Sequence, residues 1–209
     1  MILRFFWFLA VLNLCLIFQV QKGYSLSEEA QFKSFYYEIG VGYTPWLDYP
    51  EKMQDLLKSY QWESPSGKWA GMLGIMTPIG EEKWLLGINM HLLYSHFTQK
   101  FDSENTLELM VCSAFFTSRY FVIGAVNDGF YLADKIGFSL TQLDSSGENS
   151  TGWVPGLSLS GEAGYVLPLS SALSLSLNLG FYWNGIGATT EDGYPLSTYS
   201  LSLWTGLIF

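Results

Sequence analysis

The residues best suited to chemistry lie in one short stretch, Ser95-His96-Phe97-Thr98. A histidine beside hydroxyls is the minimal pair for nucleophilic catalysis, because a neutral imidazole takes the proton that a serine or threonine otherwise keeps. His96 would be the base, with Ser95 next to it and Thr98 two positions on. The other histidine, His91, belongs with a second group made of Glu38, Asn89, Glu108, Glu162 and Asn178. These are read as inward-facing, with His91 able to pair with Glu38, Glu108 or Glu162. Such a group is more often interior hydrogen-bond glue than a proton shuttle. No Gly-rich phosphate loop, Gly-x-Ser-x-Gly elbow or metal-ligand cluster occurs, so no cofactor and no metal are implied.

The elements that must position these residues are strands. In Ser197 to Phe209 one parity runs Tyr199, Leu201, Leu203, Thr205, Leu207, Phe209, and the other Thr198, Ser200, Ser202, Trp204, Gly206, Ile208. Successive strand side chains point to opposite faces, so one face is apolar and the other mostly small and polar. The stretch resembles the closing strands of bacterial outer-membrane β-barrels, with a terminal Phe and apolar residues at every second position. That resemblance implies a signal read by the outer-membrane assembly machinery through Tyr199, Leu201, Leu203, Leu207 and Phe209.

Further strands follow the same alternation. Tyr37, Ile39, Val41 and Tyr43 oppose Tyr36, Glu38, Gly40 and Gly42, and Trp69, Leu73 and Ile75 oppose Gly74 and Met76. Trp84, Leu86, Ile88, Met90, Leu92 and Tyr94 form an apolar row bracketed by aromatics, as membrane girdles are. Ile136, Phe138 and Leu140 back onto Gly137, Ser139 and Thr141; Leu157 to Leu167 alternate with Ser158, Ser160, Glu162 and Gly164; Leu173 to Trp183 alternate with Ser174 to Asn184. A charged inward residue such as Glu38 avoids the cost of facing lipid. Residues 107–126 read as one strand, because the Asn127-Asp128-Gly129 turn then gives an even count of eight. Turns at 78–82, 127–129 and 168–171 are short. The stretches 44–67, 98–105, 144–152 and 185–196 read as longer outer loops. Within the first, Met53, Leu56, Leu57 and Tyr60 fall on one helical face after Pro50. A loop packing its own apolar residues is preferred there to a helix lidding the barrel mouth, because the periodic stretch is short.

Residues 1–25 have the layout of a secretory signal peptide, with Arg4, an apolar run from Phe5 to Phe18, and small residues at Gly23 and Ser25. Leu12-Asn13-Leu14 before Cys15 departs from a lipoprotein box. Removing Arg4 and Lys22 leaves 8 of the 10 basic residues against 19 acidic ones, a charge of −11 that excludes nucleic-acid partners. One cysteine, Cys112, remains after residue 25, so no intramolecular disulfide follows. Only 14% of the residues are charged while 17% are aromatic, which suits a lipid-facing wall. A soluble sandwich would carry Lys, Glu and Thr on its outer face, whereas here the polar parity is Gly and Ser, sized for a narrow interior.

The reading is therefore all-β: a transmembrane antiparallel up-and-down barrel of eight strands over residues 35–209, after a cleaved signal peptide (1–25) and a periplasmic lead-in (26–34). Its architecture resembles the small OmpA/OmpX-type barrels. The resemblance implies a bacterial outer-membrane location with both termini periplasmic, contact with outer-membrane lipid and lipopolysaccharide, and a non-enzymatic, structural or surface-interaction role through the outer loops, toward an extracellular ligand of unknown identity. One alternative is an enzyme editing outer-leaflet lipid: small barrels that remove acyl chains from lipid A place a His and a Ser on the lipid-facing surface. The His-x-Ser spacing of those barrels is replaced here by Ser95-His96-Phe97-Thr98, and an interfacial His solvated by headgroups is the competing explanation. A narrow channel or small-ligand barrel is the other alternative, since Tyr36, Tyr182 and Trp204 need not fill an interior rich in Gly and Ser.

Overall fold

The computed structural model describes residues 35–209 except 64, 81–82, 127, 147–150, 171 and 192. The expected signal peptide and lead-in, and parts of three turns and three loops, lie outside the described residues. Eight strands run β1 (Tyr36–Asp48), β2 (Ser66–Pro78), β3 (Trp84–Gln99), β4 (Asp102–Ala125), β5 (Asp128–Ser145), β6 (Val154–Pro168), β7 (Ser174–Ile186) and β8 (Thr198–Ile208), with one helix, α1 (Glu51–Ser59), between β1 and β2. Each strand pairs antiparallel with its neighbours in sequence, and β1 pairs with β8, so the sheet closes and has no free edge. At the seam, Tyr37 and Phe209 exchange both backbone N–H···O bonds at 2.9 Å, and their rings stack.

The alternation seen in the sequence fixes which side of the wall each residue takes. Val41, Trp69 and Phe138 are 62%, 62% and 72% exposed on the outside, while inward Ser158 and Ser176 are fully buried. Residues 107–125 lie in a single strand, which runs 24 residues, as the even count requires, and Val126 begins the turn. At its hairpin with β5, Gly124 and Gly129 take φ of +86° and +127°, and a Cβ at either would stand 2.0 Å from a carbonyl oxygen across the turn. Only glycine fits there without strain.

Two expectations about loops are corrected. The stretch 98–105 is not a loop: β3 continues to Gln99, β4 starts at Asp102, and the connection is a tight turn around Lys100 and Phe101. Charged residues there mark a hairpin standing in water, and charge does not end a strand that keeps its ladder partners. The first loop is also more ordered than a self-packed coil. Helix α1 forms and buries Met53 to 2% exposure in a cluster with Leu47, Tyr49, Phe97, Leu107 and Leu196, with Leu56 and Leu57 packed against it. The barrel rim supplies the apolar partners that a nine-residue helix lacks when isolated. Gln54 Nε2 ties α1 to its entry, donating to Asp48 Oδ1 at 2.7 Å and to the Tyr49 carbonyl at 2.9 Å.

Apolar side chains thus close both ends of the bore. The mouth cluster includes Met53, Phe97, Leu109, Val111 and Ala188, and the turn-end cluster holds Tyr36, Met76, Leu85, Phe121, Val166 and Ile208. Between them the inward glycines act as seats for rings. A Cβ at Gly42 would meet the Trp204 ring at 2.7 Å, one at Gly180 the Tyr182 ring at 2.7 Å, and one at Gly164 the Tyr131 ring at 2.5 Å. The Gly-rich interior is therefore filled rather than open, and a cavity of about 10 Å³ beside His91, Ser113, Ser202 and Trp204 has room for one water.

Candidate functional site

The middle of the bore carries two ion pairs. Arg119, from β4, donates through Nη2 to Glu38 Oε2 of β1 at 2.6 Å, and both side chains are wholly buried. Ser176 of β7 donates to the other oxygen, Glu38 Oε1, at 2.8 Å. The Arg119 guanidinium also stands over the Tyr131 ring, 4.2 Å from its centroid, and the Tyr131 hydroxyl donates to Asn178 Oδ1. The second pair joins Lys135 of β5 to Glu162 of β6, whose Oε1 also accepts from the Tyr182 hydroxyl.

His91 sits beside this second pair. Its Nε2 lies 3.1 Å from Lys135 Nζ. An ammonium only donates, so Nε2 accepts and the imidazole is neutral with its proton on Nδ1. The ring packs 5.0–5.2 Å from the centroids of Phe115, Tyr182 and Trp204. His91 therefore pairs with Lys135 and not with Glu38, Glu108 or Glu162 directly. Two cations and two carboxylates cancel inside the bore, and each carboxylate has a hydroxyl besides its cation. Such a set fixes strands to one another and leaves no charge for a ligand.

Five of the six residues expected inside are there: Glu38, Asn89, His91, Glu162 and Asn178 are all buried. Glu108 is not, and its assignment is corrected. Arg119 inward on β4 puts Glu108 on the opposite parity, so it faces outward with its side chain 43% exposed. Its strand was the segment whose parity is hardest to read, because apolar residues occur on both faces. The sequence reading also lacked Arg119 and Lys135. The signal was present for Lys135: if Ile136 and Phe138 face out, its side chain must face in.

Outside, Glu108 belongs to a polar patch at the loop end of β3 and β4. It stands opposite His96 in the ladder, and Asp144 of β5 stands opposite it on the other side. Tyr94 Oη donates to Glu108 Oε1 at 2.8 Å, and His96 Nδ1 is 3.7 Å from that same oxygen. Thr98 shares their face and pairs with Thr106. Ser95 does not join them, because it points into the barrel and is fully buried. Among the described residues no group of three or more His, Cys, Asp and Glu side chains could hold a metal ion. Tyr199, Leu201, Leu203, Leu207 and Phe209 share the outward face of β8, with Trp183 and Tyr199 stacked at its loop end.

No protein-family model matches the chain, and no curated protein matches it. Among solved structures it is similar to Neisserial surface protein A, at 10% identity over 84% of this chain and 96% of that one, with a TM-score of 0.47. It is also similar to Ail, the attachment invasion locus protein of Yersinia pestis, at 13% identity over 85% and 100%, TM-score 0.46. A third is the N-terminal β-barrel domain of Pseudomonas aeruginosa OprF, at 11% identity over 85% and 98%, TM-score 0.43. By its own ladder, in which every strand pairs with both neighbours and the first with the last, the chain is a closed eight-stranded antiparallel up-and-down β-barrel.

Proposed function

We propose that this barrel resides in a bacterial outer membrane and serves a structural or surface-interaction role through its loop end, without conducting solutes. The observation that carries the reading is the outer wall. Ile39, Val41, Leu73, Ile88, Met90, Ile136, Phe138, Leu177 and Leu203 are each at least 48% exposed, on six different strands. A soluble monomer does not display an apolar band around its whole circumference. Aromatic residues edge it, with Trp84 against Tyr120 at the short-turn end and Tyr43 against Trp69 and Trp183 against Tyr199 at the other. The short-turn end would face the periplasm and the end bearing α1 the exterior. The closing strand, with Phe209, would be the element handed to the assembly machinery.

Non-conduction follows from the filled bore. Eight strands leave room for side chains alone, and here the two ion pairs lie between apolar clusters. Purified chain should fold in detergent or lipid vesicles and aggregate in plain buffer, and planar bilayers containing it should give no reproducible single-channel steps. A folded, monomeric chain in detergent-free buffer would end the membrane reading, and regular conductance steps would end the closed-bore reading.

A further inference from the structure

We propose that the outward face of β4, β5 and β6 is the interface of a homodimer within the membrane, in which Asp134 meets its counterpart on a second copy of this chain. The inference rests on the membrane placement above and gives one part of the wall an occupant other than lipid. Its ground is a carboxyl group where hydrocarbon contact is expected. Lys135 is buried in the bore, so its neighbour Asp134 turns outward, between Leu132 and Ile136, which are 49% and 57% exposed. Glu108 and Asp144 also face outward, but at the loop end, whereas Asp134 stands within the apolar row. Leu132 is opposite Tyr120 of the aromatic edge, which places Asp134 about 7 Å along the strand inside that edge. An ionisable residue at such a place is costly and is kept where it has a partner.

Beside this acid the wall has a recess. Gly161 of β6 pairs with Asp134, and a Cβ there would meet no atom within 4 Å beyond its own chain neighbours. Ala163, the next outward residue of β6, is also small. On the other side Ser118 of β4 stands opposite Asp134 and is only 4% exposed. Phe116 and Phe138, 47% and 72% exposed, rise nearby as ridges. Small residues let two walls approach closely at the level of the acid. In lipid, such packing together with hydrogen bonds drives association, because burial of apolar surface gains nothing there.

Chemistry selects the occupant. A phospholipid ammonium lies among the headgroups, at or beyond the aromatic edge, and so falls short of Asp134. A cation on the wall of a different barrel would itself be costly in hydrocarbon. A carboxyl group that holds its proton is donor and acceptor at once, and is therefore its own complement. Copies inserted in the same direction are related by a two-fold axis along the membrane normal, which brings equal residues together at equal depth. Asp134 then bonds O–H to C=O with Asp134 of the second copy, and the Ser118 hydroxyls stand beside the pair. Ser118 of the same wall brings one hydroxyl, and a carboxyl group has the capacity for more.

The test uses the full chain, without its expected signal peptide, in vesicles of dioleoylphosphatidylcholine and dioleoylphosphatidylethanolamine. Energy transfer between copies carrying donor and acceptor dyes at the N-terminus is followed as the protein-to-lipid ratio is raised. Wild type should show a monomer–dimer equilibrium. Asp134→Leu should weaken it about 10-fold or more, because the two-fold axis removes the polar contact from both sides. That change puts an apolar side chain on the lipid-facing wall, so the barrel should still fold. Gly161→Trp, built into open space with Asp134 untouched, should weaken association as much. Gly71 of β2, on the opposite side of the barrel, also has open space around it, and Gly71→Trp should change nothing. Heat-shifted gel mobility confirms that each variant is a folded barrel. A wild type that stays monomeric at every ratio overturns the proposal, and so does Asp134→Leu or Gly161→Trp associating as tightly as wild type. A monomer that keeps phosphatidylethanolamine in native mass spectra only when Asp134 is present also overturns it, assigning the face to a lipid ammonium. In each case insertion of the same protein leaves the membrane reading standing.

Discussion

The carboxylates of the bore and the carboxylate of the outer rim show how one residue type takes opposite roles in a single sheet. Inside, Glu38 and Glu162 are fully desolvated, and each is matched to a fixed cation and a hydroxyl. Removing one partner would strand a charge in a medium that cannot solvate it. Outside, Glu108 is partly wet and its Oε1 accepts from the Tyr94 hydroxyl, with the His96 ring nearby. The inner set is architecture, and the outer set stands partly in solvent. The wall between them is one backbone thick, and strand parity alone assigns each acid to its side.

The sharpest way to break this comparison is to delete one member of the inner set. Arg119→Ala should destabilise the barrel by about 3–5 kcal/mol, read as urea unfolding in vesicles, whereas the paired change Glu38→Leu with Arg119→Met should recover most of the loss. If the pair of substitutions is no better than the single one, the charges are not matched to each other. Next in size is the wall itself. Leu177→Lys, on a residue 48% exposed, should cost about 2–4 kcal/mol in a bilayer. An effect near zero there would mean that the outward row does not meet hydrocarbon.

A smaller effect belongs to the mouth. Burial, with the charge of Asp48 adding to it, pushes the Tyr49 hydroxyl well above its ordinary value, and that hydroxyl has no hydrogen-bond partner. The sign follows: a folded-state pKa above the unfolded value of about 10 means that the seating of Tyr49 is intact below pH 10 and weakens as pH rises through the folded value. Protease nicking around α1 should therefore increase above pH 10 in wild type, and Tyr49→Phe should abolish that rise. Least of all, Glu108→Gln should leave stability within about 0.5 kcal/mol, separating the rim acid from Glu38. A large loss of stability from Glu108→Gln would erase the contrast between the two regions.

The sequence by itself determined the strand parities wherever one face was cleanly apolar. The rows Trp84 to Tyr94, Leu173 to Trp183 and Tyr199 to Phe209 could be placed outward, and Glu38, His91 and Glu162 inward, because a period of two admits only two arrangements and hydrocarbon rejects one of them. It also determined the strand count, through the turn after β4. Tertiary structure decided three things that parity cannot carry. Helix α1 forms because Met53 finds Leu47, Phe97 and Leu196 on the rim, and those partners lie up to 143 residues away along the chain. Glu38 meets Arg119, and Glu162 meets Lys135, because sheet closure brings β1 across the bore from β4 and sets the register of β5 against β6. Glu108 turned out to face outward because β4 alternates about Arg119, a buried cation whose need for a carboxylate outweighs the ambiguous apolar pattern around it. Face is a local property of an extended chain, whereas partnership depends on where the closed sheet brings strands together.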